Sequence, residues 1–187
     1  MGERASFPYS PGSSSNQKGR GEAMKILIDS REQLPFAFSG KSFEDVTTEA
    51  GSLPTGDYSL AGLSDLVAVE RKSLPDLVAC LSHERDRFER ELVRARGLEA
   101  FAVVVEATFE DLAHGRYRSK LNPHSACQSV LSFSARLGIP FLFAGSRAGA
   151  EYATAGFLRQ YLKGCRERLK AIEKASLEGA EGGRDVG

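Results

Sequence analysis

The stretch AFAVVVEA at residues 100–107 constrains the fold more than any other part of the chain. Six apolar residues run from Ala100 to Val105 with no polar alternation, and three successive valines close the run. A half-exposed strand alternates apolar and polar side chains, whereas a strand covered on both faces does not need to. Such a strand requires a sheet with helices packed above and below it. The flanking patterns agree. KILID (25–29) is a short apolar strand ending on an acid, and FEDVTTEA (43–50) is a weaker one. GDYSLAG (56–62) and LVAVERK (66–72) form a hairpin turning at GLSD, and IPFLFAG (139–145) is the last strand.

Helices are predicted between and after them. Ser73 caps SLPDLVACL, with Pro75 in the first turn and Asp76 at the reciprocal capping position. HERDRFERELVRARG places Phe88, Leu92 and Ala95 on one face and stops at Gly97. Asn122-Pro123 opens a helix to Gly138 with the stripe Ala126, Val130, Phe133 and Leu137, and a long final helix carries Leu158, Leu162, Cys165, Leu169 and Ile172. Strands first, then strands alternating with helices, give an α/β domain built on a central mixed sheet flanked by helices. Residues 1–23 and 175–187 are rich in Gly, Ser and charge and read as disordered, which leaves 24–174 as one folded domain.

Composition narrows the function classes. No apolar run approaches the ~18 residues that span a bilayer. Three widely spaced cysteines, Cys80, Cys127 and Cys165, suit reduced thiols in a cytoplasmic compartment better than a disulfide framework or zinc site. Formal net charge is zero, yet residues 24–81 hold five Lys/Arg against nine Asp/Glu while 158–174 hold six against two. Local partners feel that asymmetry even where the sum vanishes.

The hairpin contains the chemistry. Folded about Leu63 and Ser64, it sets Asp57 opposite Glu70, with side chains ~5 Å apart at Cβ, a repulsive arrangement unless something neutralises it. Glu70 and Lys72 share one face and Arg71 points away. A one-residue slip would destroy the constellation. Two converging acids beside a lysine suit a hard divalent cation, Mg²⁺ or Mn²⁺, which takes oxygen ligands and keeps waters. Phosphodiester hydrolysis is the chemistry such a site suggests. HGRYRSKLNPH (114–124) adds Arg116, Tyr117, Arg118 and Lys120 without an acid, a pattern fit for phosphate contact and base stacking. The arginines of 85–96 alternate with acids and read mostly as surface pairs.

Asp57, Glu70 and Lys72 follow the loose pattern of the PD-(D/E)XK nuclease superfamily, and the match becomes more specific around it. Gly56-Asp57, then Glu70-Arg71-Lys72, then Asp76 after Ser73-Leu74-Pro75 resemble the G-D-x(n)-E-R-K-x(3)-D motif of the XPF family of structure-specific endonucleases. LIDSRE (27–32) resembles that family's first strand and LSHERDRFERE (81–91) its basic helix, so the resemblance spans roughly 24–145. It implies a restriction-endonuclease-like fold and a Mg²⁺- or Mn²⁺-dependent endonuclease acting on DNA, with branched or flap structures as the substrate class. No other small-molecule cofactor and no membrane enter the expectation. By the same resemblance Asp57 and Glu70 bind metal with the Arg71 carbonyl, Lys72 serves the attacking water, and Asp29 and Glu32 complete the acidic pocket. Arg31, Arg71 and Arg85 handle phosphate or brace the site. The resemblance also implies dimers, with the Leu158–Ile172 stripe as one route to a homodimer, and a cytoplasmic location, on the nucleoid if the host is bacterial. Helix-hairpin-helix and helicase modules found in many family members have no room here. The rival reading is a nuclease-fold module without activity that binds DNA or scaffolds a dimer.

Overall fold

The computed structural model describes residues 23–181. Six strands form one mixed sheet in the order β2-β1-β3-β4-β5-β6, with β1 Met24–Asp29, β2 Val46–Gly51, β3 Tyr58–Leu60, β4 Val67–Lys72, β5 Ala100–Val105 and β6 Phe141–Phe143. β1 and β2 are parallel, β3 is antiparallel to both β1 and β4, and β4, β5 and β6 are parallel. The expected mixed sheet between helices is the observed architecture.

Alternation along each strand divides the interior into two cores. Ala68, Val103 and Val105 face α1 (Leu74–Cys80), α2 (Arg85–Ala95), α3 (Phe109–Ala113) and α4 (Pro123–Leu137), packing with Leu77, Phe88, Leu92 and Phe133. Val67, Val69 and Val104 face the other way, against Tyr58, Phe36 and Phe38 and against Ala155 and Leu158 of α5 (Arg147–Glu181). β5 is thus covered on both faces, and Phe101–Val105 are all buried.

Local signals account for most boundaries. The Ser73 hydroxyl accepts from the Asp76 amide at 3.3 Å and starts α1. Asn122 does the same for Ser125 at 3.1 Å, with Pro123 as the first residue of α4 and Gly138 in the left-handed conformation closing it.

Three expectations are corrected. Residues 41–43 form a 3-10 turn and β2 begins only at Val46, because Phe43 turns inward to meet the Phe38 ring edge-on at 5.7 Å. The hairpin turn is wider than GLSD: β3 ends at Leu60, and the Ala61 amide donates to Lys25 of β1 at 2.9 Å, not to β4. The final helix continues past 174 to Glu181, since ASLEGAE is rich in helix-forming Ala, Leu and Glu and adds to an existing helix without a new nucleation step. The segments 1–22 and 182–187, both read as disordered, lie outside the described residues. Within α5 the apolar stripe splits in use. Leu158 is buried and Leu162 packs on the sheet, but Leu169 and Ile172 are exposed.

Candidate active site

Topology gathers the acids. Because β1, β4 and β5 run the same way, their C-terminal ends share one sheet edge, and antiparallel β3 begins there. Asp29 ends β1, Glu70 to Lys72 end β4, Glu106 follows β5, and Asp57 precedes β3. Catalytic and binding groups of open α/β sheets collect at this kind of edge.

The hairpin register carries the site. Tyr58 pairs with Val69, the register the sequence predicts, and Asp57 stands just before that pair, beside the end of β4 and lining the same recesses as Glu70. The Asp57 amide donates to the Val69 carbonyl at 2.8 Å, and the Asp57 carboxylate accepts from the Arg71 amide at 2.7 Å. In an extended strand a residue's N–H and C=O face the same edge, so the Arg71 carbonyl also faces the Asp57 side. Gly56 makes the approach possible. Its φ is 78°, and a Cβ there would stand 3.0 Å from both Ala68 Cβ and the Val69 carbonyl oxygen.

Opposite faces of β4 then take opposite roles. Glu70 and Lys72 point to the α2 side, ion-paired to each other, with the Lys72 ammonium 5.7 Å from the centre of the Phe88 ring. Arg71 points to the α5 side, over Phe36, where it joins Glu32 (3.3 Å) to Glu106 (2.9 Å). Arg147 completes this chain by donating to Glu106 at 2.9 Å and to the Leu34 and Pro35 carbonyls. Glu32 also accepts from the Leu34 amide at 2.7 Å.

Electrostatics separates the carboxylates into two kinds. Arg31 wraps Asp29 through its backbone amide, Nε and Nη2, each at 2.8 Å, and the Leu53 amide adds a fourth bond. The Arg31 side chain, helped by those amides, holds the Asp29 carboxyl far below the usual carboxylate range despite its burial. Burial pushes Asp57 up to about 6 against the pull of the Arg71 amide and Lys72. Burial, then the Asp57 charge, raises Glu70 to about 8, with Lys72 opposing. Burial alone would lower Lys72; the Glu70 charge overrides it and holds the ammonium above its ordinary value. Asp57 and Glu70 are therefore a pair that resists double ionisation, while Asp29 is a satisfied structural anion.

Two recesses flank this pair. One, of about 200 Å³, is lined by Pro54, Thr55, Asp57, Glu70, Glu91 and Arg94 among others, and the second, of about 320 Å³, by Glu32, Leu34, Asp57, Glu70, Lys72 and Asp76. Among the described residues no three His, Cys, Asp or Glu side chains group as a metal cage. Two facing carboxylates with raised proton affinity nevertheless fit a divalent ion that takes its remaining ligands from backbone oxygen, water and substrate.

The sequence of residues 28–155 matches the ERCC4 domain. The chain belongs to the ERCC4 domain family. That family is one of nucleases, typically metal-dependent endonucleases. Among solved structures, XPF from Aeropyrum pernix is similar with a TM-score of 0.59 at 22% identity, over 87% of this chain and 75% of that one. XPF from Aeropyrum pernix in complex with DNA gives a TM-score of 0.57 at 21% identity, over 75% of this chain and 66% of that one. A search of curated proteins finds no match. At these identities the structures establish that the ERCC4 domain here has the XPF-like fold.

The remaining sequence candidates sit differently within the ERCC4 domain. Arg85 donates to Ser129 at 2.8 Å and lies over the Phe133 ring at 4.9 Å, so it braces α2 against α4. Tyr117 packs against the core and donates its hydroxyl to the Leu121 carbonyl at 3.1 Å, which removes the ring as a free stacking platform. Arg116 is paired with Asp111 at 2.8 Å, while Arg118 and Lys120 stay exposed. Arg31 is anchored to Asp29 but remains largely solvent-accessible. Sequence reading missed Glu106, Arg147, Glu91 and Arg94. Glu106 had a signal, an acid directly after a buried strand, the same feature that singles out Glu70. Arg147 had none, because its partners Glu106, Leu34 and Pro35 lie 41 to 113 residues away along the chain.

Proposed function

We propose that this ERCC4 domain is a metal-dependent DNA endonuclease that hydrolyses backbone phosphodiesters, with branched or flap DNA as its substrate class. The observation that carries the reading is the β3–β4 register, which brings Asp57 beside Glu70 at the lining of the same recesses and puts Lys72 on the Glu70 face. Asp57, Glu70 and the Arg71 carbonyl are the groups that would hold Mg²⁺ or Mn²⁺. A cation held there supplies Lewis-acid polarisation of a phosphoryl oxygen and acidifies water.

The chain's own residues do the rest. The hydrolysis joins a water oxygen to phosphorus and breaks one P–O ester bond, leaving a phosphate monoester and a hydroxyl. Lys72, beside Glu70, orients the incoming water and stabilises negative charge growing on the phosphoryl oxygens. Arg71, held between Glu32 and Glu106, fixes the end of β4 so that its carbonyl and amide keep their positions. Asp29 and Arg31 pin the turn after β1 to Leu53 and keep the Pro54–Asp57 segment in place. The reading includes DNA as partner and a homodimer, for which exposed Leu169 and Ile172 on α5 offer an apolar surface.

One observation favours a domain that binds DNA without cutting it: Lys72 already neutralises Glu70. Incubation with Mg²⁺ or Mn²⁺ and a panel of duplex, single-stranded, flap and fork DNAs decides between the two. Cleavage by the wild type and none by Asp57→Ala supports the nuclease. Retained DNA binding with no cleavage of any substrate supports the rival.

A further inference from the structure

Four cations line the two recesses beside the acidic pair: Arg31, Arg71, Lys72 and Arg94. Three are committed. Arg31 is bound to Asp29, Arg71 to Glu32 and Glu106, and Lys72 to Glu70. Arg94, on the last turn of α2, is exposed, and its guanidinium makes no hydrogen bond or ion pair with the described residues. A phosphate drawn to a committed cation must displace a charge-assisted bond, whereas Arg94 can bind without that loss. Thr55 lines the same recess, and its hydroxyl is buried with no hydrogen-bond partner, an arrangement native proteins rarely leave unexplained.

We propose that the recess between the Pro54–Gly56 turn and α2 is a phosphate subsite, which seats a DNA backbone phosphate neighbouring the one that is cut. Arg94 provides the charge and Thr55 a neutral hydrogen bond. Glu91 faces the same recess with Asp57 and Glu70, so the subsite attracts phosphate only when a divalent cation offsets those acids. This subsite rests on the nuclease reading above and adds to it a specific backbone contact on the α2 side of the cleft.

The test is binding of a labelled fork DNA in Ca²⁺ buffer, measured by fluorescence anisotropy between about 50 and 200 mM salt. Arg94→Ala should flatten the slope of log K against log salt by about 0.9 for a duplex contact or about 0.7 for a single-stranded one. Arg94→Lys should restore most of the slope. Thr55→Val should weaken binding and leave the slope unchanged. Arg96→Ala, an exposed arginine about 200° away around the same helix turn, should behave as wild type. In Mg²⁺ assays Arg94→Ala should raise KM with little change in kcat. Wild-type slope in Arg94→Ala, or an equal loss in Arg96→Ala, overturns the subsite while wild-type cleavage still supports the nuclease. Failure of the wild type to bind DNA overturns both.

Discussion

Glu70 and Asp57 are the two side chains whose environment is hardest to reconcile with a merely structural role. A carboxylate kept for stability is dressed as Asp29 is, with a guanidinium and two amides lowering its proton affinity. Asp57 and Glu70 have folded-state values of about 6 and about 8, above ordinary values of 3.8 and 4.5. In metal-free buffer the folded protein therefore binds protons that the unfolded chain has released. Stability from this pair is complete at low pH and is lost as pH rises from about 4 through 6 to 8. Asp29 acts in the opposite direction, its contribution disappearing only as pH falls below 3.8. The melting temperature of the metal-free protein should fall between about pH 5 and pH 8.5, and saturating Mn²⁺ should flatten that fall. A melting temperature that climbs across this window contradicts the assignment. Lys72→Ala should lower kcat by about 10²–10³-fold, with Mn²⁺ affinity close to wild type by calorimetry. Equal turnover would remove Lys72 from the reaction.

At the scale of elements, the β3–β4 hairpin and the α2–α4 contact make separate demands. Gly56→Ala forces a Cβ into Ala68 and the Val69 carbonyl at a backbone angle only glycine adopts freely. It should cost about 1–2 kcal/mol in urea unfolding. Arg85→Ala removes the bond to Ser129 and the contact with Phe133, so it should cost about 1–2 kcal/mol and leave DNA affinity and its salt slope unchanged. A changed salt slope with unchanged stability would restore Arg85 to the DNA-contacting set. These elements also show what was legible beforehand. β5, α1 and α4 could be read because their signals are local: an unbroken apolar run, a capping serine, an asparagine-proline start with a glycine stop. The hairpin register was legible because reflecting the hairpin about its turn sets one acid against another. Arg85 was not, because Ser129 and Phe133 come from a segment whose approach is fixed only by the tertiary fold. Neither was Tyr117, whose packing against the core depends on the same fold although its hydroxyl partner Leu121 is local.

Over the whole molecule, the sheet separates chemistry from support. Acids gather at one edge, α1 to α4 cover the Glu70 face, and α5 covers the Arg71 face before running on beyond the core to Glu181. Among the described residues no helix is long and apolar enough to cross a membrane. The exposed Leu169 and Ile172 give the homodimer reading a specific test. Sedimentation equilibrium should show a dimer for the wild type and a shift to monomer for Leu169→Glu/Ile172→Glu, and an unchanged mass would move any interface elsewhere. Charge sorting along the chain was visible at the outset, but its meaning was not. The acidic segment supplies the site, while the basic stretch of α5 pairs partly inward, Arg159 with Asp45 and Arg168 with Glu99.

The most direct measurement is Mn²⁺ binding followed by electron paramagnetic resonance of the free ion, on wild type, Asp57→Asn and Glu70→Gln. A saturable site in the wild type that both substitutions abolish, with folding intact, is the expected result. Retained binding in either variant, or no saturable binding in the wild type, would show that these two carboxylates do not hold the ion.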